Sequence, residues 1–265
     1  MIDSEFFNKK FDLIVSLGED CACSSYLRRF NLQDYTYPFD WLTGASFSTR
    51  VDLICNNFKN FLLKENIKRL EYPYNTRKNS DEEDYEDVYL KFHFYHDFNK
   101  NQTFDSNFLE IKEKYNRRIE RLYEIAEKSQ KILFVWWGRS YKLKAIDLLD
   151  YYEKLQKKFS NSDVHLLVIE YSDEETEQNL KNNHICIKKY DNLSFMLNSK
   201  WTQTMGNEIN NNKIFKQIKI RKSFTTALKY LIYKILKIFI EAIPFKEIRL
   251  DLKSKLRYSF FRAKL

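Results

Sequence analysis

The feature that most constrains this chain is an alternation of near-continuous apolar runs with stretches of helical periodicity. "FDLIVSLG" (11–18), "KILFVWWG" (131–138), "VHLLVIEY" (164–171) and "HICIKKY" (184–190) have the composition of strands buried on both faces. "KAIDLLDYYEKLQKKF" (144–159) carries the amphipathic pattern of a covering helix. This order predicts an α/β fold, an open three-layer sheet of about four mostly parallel strands with helices on both faces. In such sheets ligands bind beyond the carboxyl ends of the strands. The turns after "FDLIVSLG" and "KILFVWWG" hold that position.

Other elements fill in around the sheet. Asp20 stands where a helix cap is needed, and Leu27 and Phe30 supply the apolar stripe behind it. "YTYPFDWLTG" reads as an ordered aromatic loop in which Pro38 keeps Tyr37 extended. Residues 46–63 read as a helix, with Phe47, Val51, Ile54, Phe58 and Phe61 at three- and four-residue steps. A longer helix is expected from about Ser106 to Ser129. The polar, acidic "YNTRKNSDEEDYED" reads as a solvated surface loop, and the aromatic "VYLKFHFYHDF" after it as a strand. Four Gly and three Pro are too few for a sandwich built on recurring tight turns.

The net charge of +8 is unevenly placed. Residues 213–265 hold fifteen Lys/Arg against three Asp/Glu, a net of +12, and the remainder is mildly acidic at −4. We therefore expect an α/β domain over 1–212 and a basic amphipathic helical tail over 213–265. Lys229, Lys234, Lys237 and Glu241 fall within an arc of about 140° on a helical wheel. Leu228, Leu231, Ile235 and Phe239 lie on the wide apolar side. Each lysine would cost about 2.5–3.5 kcal/mol at the centre of a bilayer, which disfavours spanning. The alternatives are a helix lying in an anionic membrane surface, one docked on the domain, and one that binds a protein partner. With so much Leu and Ile in the tail, nucleic acid is not an expected partner. Four cysteines without framework spacing, and no opening cationic and apolar leader, lead us to expect a cytoplasmic protein with reduced thiols. The tail would reach the inner face of the cell membrane.

Two cysteines start the helix after the first strand. Cys23 shares a stripe with Leu27 and Phe30 and reads as core. Cys21 lies on another side of the first turn, where unpaired N–H groups favour a thiolate. Nucleophile, buried filler and metal ligand are the three readings open to it. Cys-x-Cys without a second pair falls short of a zinc site, and no metal is expected. A nucleophile needs a base. His165 and His184 read as strand residues, while His93 and His96 would face opposite sides of one strand. His96, beside Asp97 where a loop begins, is the better candidate. Asp97, its strand neighbour, need not orient it, and Asp40 or Glu170 could do so instead; Asp40 or Asp97 is the expected orienter in a nucleophilic mechanism.

"SLGEDC" followed by "YLRRFNL", then "YPFDWL", "FHFYHDF", "YNRRIERL" and "KILFVWW" fall in this order over about residues 11–140. In these motifs the chain resembles a bacterial domain family described as papain-like cysteine peptidases. The resemblance implies that Cys21 matches the family cysteine, His96 and Asp97 its His-Asp, and Asp40 and Trp41 its "PFDW". Gly18, Trp41, Tyr95 and Arg139 are the candidates for contacting substrate. The strand–helix order departs from papain, and "CGSCW"-type surroundings of a papain nucleophile are missing. A nucleophile just after the first strand is similar to the SGNH esterases and acyltransferases, with Cys in place of Ser. The expected activity is cysteine-dependent acyl transfer on a peptide, ester or sugar-linked substrate, as hydrolase or transferase. No cofactor is expected, beyond an acyl-CoA donor for a transferase. The family's association with surface-polysaccharide loci implies a sugar- or lipid-linked acceptor. The competing expectation is a non-catalytic or glycosyltransferase-like carbohydrate-assembly protein, with Tyr37, Phe39, Trp41, Trp136 and Trp137 stacking on sugars. No G-x-G-x-x-G or Walker loop supports nucleotide binding.

Overall fold

The four apolar runs lie side by side in one sheet. The computed structural model describes residues 2–71, 81–138, 143–171, 182–190, 214–222 and 224–261. Strands β2 (Leu13–Ser16), β7 (Lys131–Trp137), β8 (Asp163–Tyr171) and β9 (Ile185–Tyr190) are parallel, in the order β2-β7-β8-β9. Alternate residues go to two separate cores. Val15, Phe134, Trp136, Leu166 and Val168 pack on one face, and Ile14, Leu133, Val135, Leu167 and Ile169 on the other. Burial on both faces is why these strands are apolar throughout rather than alternating.

Helices cover both faces. On the first lie α3 (Phe47–Cys55), α4 (Phe104–Glu127) and α5 (Ala145–Lys158), which contribute Val51, Ile111, Leu122, Leu148 and Leu155. On the second lie α1 (Ile2–Asn8) and α2 (Cys21–Arg29), with Phe6, Phe7, Tyr26 and Leu27. Each such side chain contributes about 1.5–3 kcal/mol when fully buried. Helix α3 is shorter than its periodicity predicts. Positive φ at Asn57, Phe58, Asn60 and Leu62 ends it, yet Phe58 and Phe61 still reach the core from the turns that follow.

A second, antiparallel sheet was only partly expected. Its order is β3-β6-β5-β4, with β3 Thr43–Gly44, β4 Ile67–Arg69, β5 Glu82–Asp87 and β6 Phe92–Asn99. The acidic stretch is therefore no surface loop over 82–87 but an inner strand of this sheet. The reason is tertiary: Tyr85 stacks on Phe98 with ring centroids 4.0 Å apart, so β6 draws the acidic segment in. Asp87 is buried and accepts from the N–H groups of Tyr89 and Leu90 (3.0 and 2.8 Å), shaping the turn into β6.

The domain also reaches further than residue 212. Ile214, Phe215 and Ile218 are buried against the second core, and β10 (Lys219–Ile220) pairs in parallel with β1 (Lys10–Phe11). Beyond it, α6 (Phe224–Glu241) and α7 (Lys246–Phe261) form the helical tail. Leu228, Leu231, Ile235, Ile238 and Phe239 of α6 are exposed, the last two at 69%. No described helix is long and apolar enough to cross a membrane.

Candidate active site

The first parallel strand delivers Cys21 to the carboxyl edge of the sheet. Beyond β2 the ladder continues, with the N–H of Leu17 donating to Val135 (2.7 Å) and that of Glu19 to Trp137 (3.2 Å). Asp20 then caps α2, its carboxylate accepting from the Ala22 N–H at 2.8 Å, so that Cys21 is the first helical residue. Gly18 is required by packing: a Cβ there would stand 2.3 Å from the Cβ of Cys23. Cys23 has no exposed surface, its thiol donates to the Val135 carbonyl, and burial pushes that thiol up to about 12. Cys21 is partly exposed. The pair thus divides as the stripe predicts, one sulfur inward and one outward.

Cys21, Ser24 and Arg28 follow one another at i, i+3 and i+7 along one face of α2, and that face meets the "PFDW" loop. The Ser24 hydroxyl lies 2.6 Å from the Asp40 carbonyl and 3.0 Å from that of Cys21. Asp40 itself is fully buried. Its carboxylate pairs with Arg28 at 2.7 Å and accepts from Gln33 (3.0 Å) and from the Tyr37 N–H (2.8 Å). Burial pushes this carboxyl up, and the guanidinium of Arg28 opposes the shift. Asp40 is thus engaged in fixing the loop on α2, and does not supply the carboxylate that orients His96. Next to it, Trp41 lies under the Arg28 guanidinium (4.9 Å to the ring centroid) and edge-on to His96 (6.3 Å between centroids). Trp41 therefore touches both α2 and β6.

A second tie runs through Arg50 of α3, which is fully buried. Its guanidinium donates to the carbonyls of Gly44 (2.6 Å), Glu19 (3.3 Å) and Leu42 (3.4 Å), and lies over the rings of Phe39 and Phe92. Burial pushes it down to about 9, which leaves it cationic at neutral pH. It holds the "SLGED" turn to the end of the aromatic loop.

The imidazoles come from β6. Between Glu83 and Tyr85 the partner strand advances by two residues while β6 advances by four, from Phe98 back to Phe94. This bulge re-aims the side chains between them. His96 pairs through Nδ1 with Glu82 of β5 at 3.2 Å, both partly exposed. Asp97 turns away to α4, where Tyr115 donates to it at 2.9 Å and Lys114 pairs with it. So neither Asp97 nor Asp40 is the partner of His96; Glu82 is. His93 is half-buried, bonded through Nδ1 to the Tyr95 hydroxyl at 3.0 Å, and burial lowers its affinity for a proton. It packs on Gly44, whose φ is +73° and where a Cβ would stand 2.7 Å from the imidazole. Glu170 is buried and accepts from the Leu143 N–H (2.9 Å), a loop-fixing role.

Other expectations resolve differently. Tyr37, Phe39, Trp136 and Trp137 are all buried core residues, which leaves Trp41 as the partly exposed aromatic of that set. Tyr95 is engaged with His93, and Arg139 lies outside the described residues. Sequence reasoning missed Glu82, Arg28 and Arg50. The Cys21–Ser24–Arg28 spacing could have found Arg28; a bulge-dependent partner such as Glu82 leaves no local signal. Among the described residues, the ligand types for a metal ion converge away from Cys21, at Asp163, His165 and His184.

Chemically, the arrangement offers a thiol at a helix N-terminus, a carboxylate-paired imidazole on the adjoining sheet, and helix-end N–H groups for a developing oxyanion. No solved structure matches the chain significantly. An uncharacterised protein of Acanthamoeba polyphaga mimivirus is 27% identical over 139 residues, which cover 46% of this chain and 60% of that protein. The chain thus spans less than two thirds of that relative. A family model described as "Putative papain-like cysteine peptidase (DUF1796)" matches residues 12–174. That segment is more than half of the 265 residues and holds both Cys21 and His96, and the chain belongs to this family.

Proposed function

We propose that the protein is a cysteine-dependent acyl-transfer enzyme in which Cys21 is the nucleophile and His96 the base. The observation that carries this reading is the His96–Glu82 pair at 3.2 Å beside Trp41, the base–orienter arrangement of a nucleophile–imidazole–carboxylate set. His96 Nε2 takes the thiol proton, the Cys21 sulfur attacks a carbonyl, and the leaving group departs with that proton. A water or an acceptor hydroxyl then cleaves the acyl-enzyme, as hydrolase or transferase respectively. Trp41 and the first turn of α2 line the substrate side. The family description supports the hydrolase-type reading.

Transfer to a sugar- or lipid-linked acceptor at a membrane surface is the finer form of the proposal. Its support is the basic tail, whose α6 exposes Leu231, Ile235, Ile238 and Phe239 together. The non-catalytic carbohydrate-binding alternative has lost four of its five aromatics to the core. The test is labelling with an iodoacetamide probe at pH 7 together with hydrolysis of thioester and ester substrates. Cys21→Ala removes the hydrolysis and the fast-labelling thiol, with partly exposed Cys55 left as the slower background. Cys23→Ala leaves labelling intact, because a thiol held near 12 is protonated throughout this range. Equal labelling of both cysteines contradicts the assignment.

A further inference from the structure

We propose that Asp163, His165 and His184 form a divalent-metal site, of the type zinc occupies, at the amino-terminal edge of the parallel sheet, opposite the Cys21 edge. The inference is independent of the peptidase reading. His165 Nε2 lies 3.1 Å from one oxygen of the Asp163 carboxylate, and His184 Nε2 lies 3.1 Å from the other. One ligand atom from each residue falls within 4.8 Å of the other two. Around a tetrahedral ion with bonds of about 2.0–2.1 Å, ligand atoms stand about 3.3 Å apart. Two imidazoles and one carboxylate are a donor set that suits zinc and leaves a fourth position open.

The backbone sets these groups in place. Asp163 and His165 are two apart on β8 and so share one face of the strand. The carbonyl of His184 accepts from the Leu166 N–H at 2.8 Å, which pins the start of β9 beside them. An ion here would clamp the starts of two adjacent strands.

The second observation is the state of His165. It has no exposed surface and is packed edge-on by Phe6 and Phe11. Yet neither of its ring nitrogens makes a hydrogen bond of adequate geometry; the approach to Asp163 is an ion-pair distance only. A buried polar atom left unpaired costs about 1–3 kcal/mol, as Nδ1 is here, while Nε2 is turned to the Asp163 carboxylate, where an ion would sit. Asp163 and His184 are partly exposed, which gives an ion a route in. One feature opposes loading. The Lys131 ammonium lies 3.2 Å from the Asp163 carboxylate and competes for the same charge.

The proposal is tested on the untagged full chain, freed of metal with a chelator and titrated with Co²⁺, followed by Zn²⁺ competition. The expected result is one Co²⁺ per chain, with d–d bands and no thiolate charge-transfer band. His184→Gln and Asp163→Asn, both partly exposed sites checked for retained fold by circular dichroism, each weaken binding by at least about tenfold, the loss of one of three ligands. Lys131→Met tightens it. Absence of saturable binding at millimolar Co²⁺ overturns the site. So does a thiolate charge-transfer band, or affinity unchanged in both ligand variants.

Discussion

The two sheets present their reactive groups by opposite means. The parallel sheet is apolar on both faces, and Cys21 leaves it on the rigid continuation of β2, with Leu17 and Glu19 still hydrogen-bonded to β7. The antiparallel sheet is aromatic, acidic and bulged, and its bulge is what sends His96 to Glu82 and Asp97 to α4. Cys21 is thus fixed by a regular ladder and His96 by an irregular one. Between them runs the aromatic loop, anchored by buried Asp40 on α2 and by Arg50 on α3, above a core that both sheets share.

The aromatic loop between the sheets is the most sensitive point of this arrangement. Asp40→Ala leaves Arg28 without its buried partner and removes the hydrogen bonds from Gln33 and the Tyr37 N–H. Losing one side of such a pair costs roughly 3–5 kcal/mol, read as a fall in the urea midpoint. Probe labelling of Cys21 should fall with it, while Asp97→Asn, on the far side of β6, should leave labelling intact. A loss under about 1 kcal/mol for Asp40→Ala would mean that the sheets are held together elsewhere.

A smaller perturbation sharpens the other half of the contrast. Gly18→Ala drives a Cβ to 2.3 Å from that of Cys23, so α2 must shift on the sheet. Overpacking of this kind costs about 1–3 kcal/mol. Because Cys21 rides on the same helix, its labelling rate should drop even where the protein remains folded. Unchanged stability and rate would show that the turn has room, and that the ladder does not fix Cys21.

The two sheets also differed in how far they could be read from the sequence. The parallel strands were legible because burial on both faces leaves apolar runs such as "KILFVWW", and α2 because Asp20 and the Cys23–Leu27–Phe30 stripe mark it. The acidic strand was not. "EEDYED" carries the composition of a solvated loop, and it is a strand only because Tyr85 stacks on Phe98 across the sheet. The site was legible to the same degree. The outward and inward cysteines followed from helical spacing, whereas the partner of His96 hung on a bulge created by pairing of distant segments. The tail start at 213 missed the packing of Phe215 on Tyr26 and Trp137 for the same reason: those partners lie far back along the chain.

In the proposed mechanism an imidazole on the bulged strand acts on the sulfur at the end of the parallel one. The most direct measurement is the second-order rate of iodoacetamide alkylation at Cys21, resolved by peptide mass spectrometry at pH 7, in the native chain, in His96→Ala and in His93→Ala. We predict that Cys21 is the fastest-reacting of the four thiols, that His96→Ala slows it by at least about tenfold, and that His93→Ala changes it little. A Cys21 rate indifferent to both substitutions, or slowed only by His93→Ala, would contradict the account.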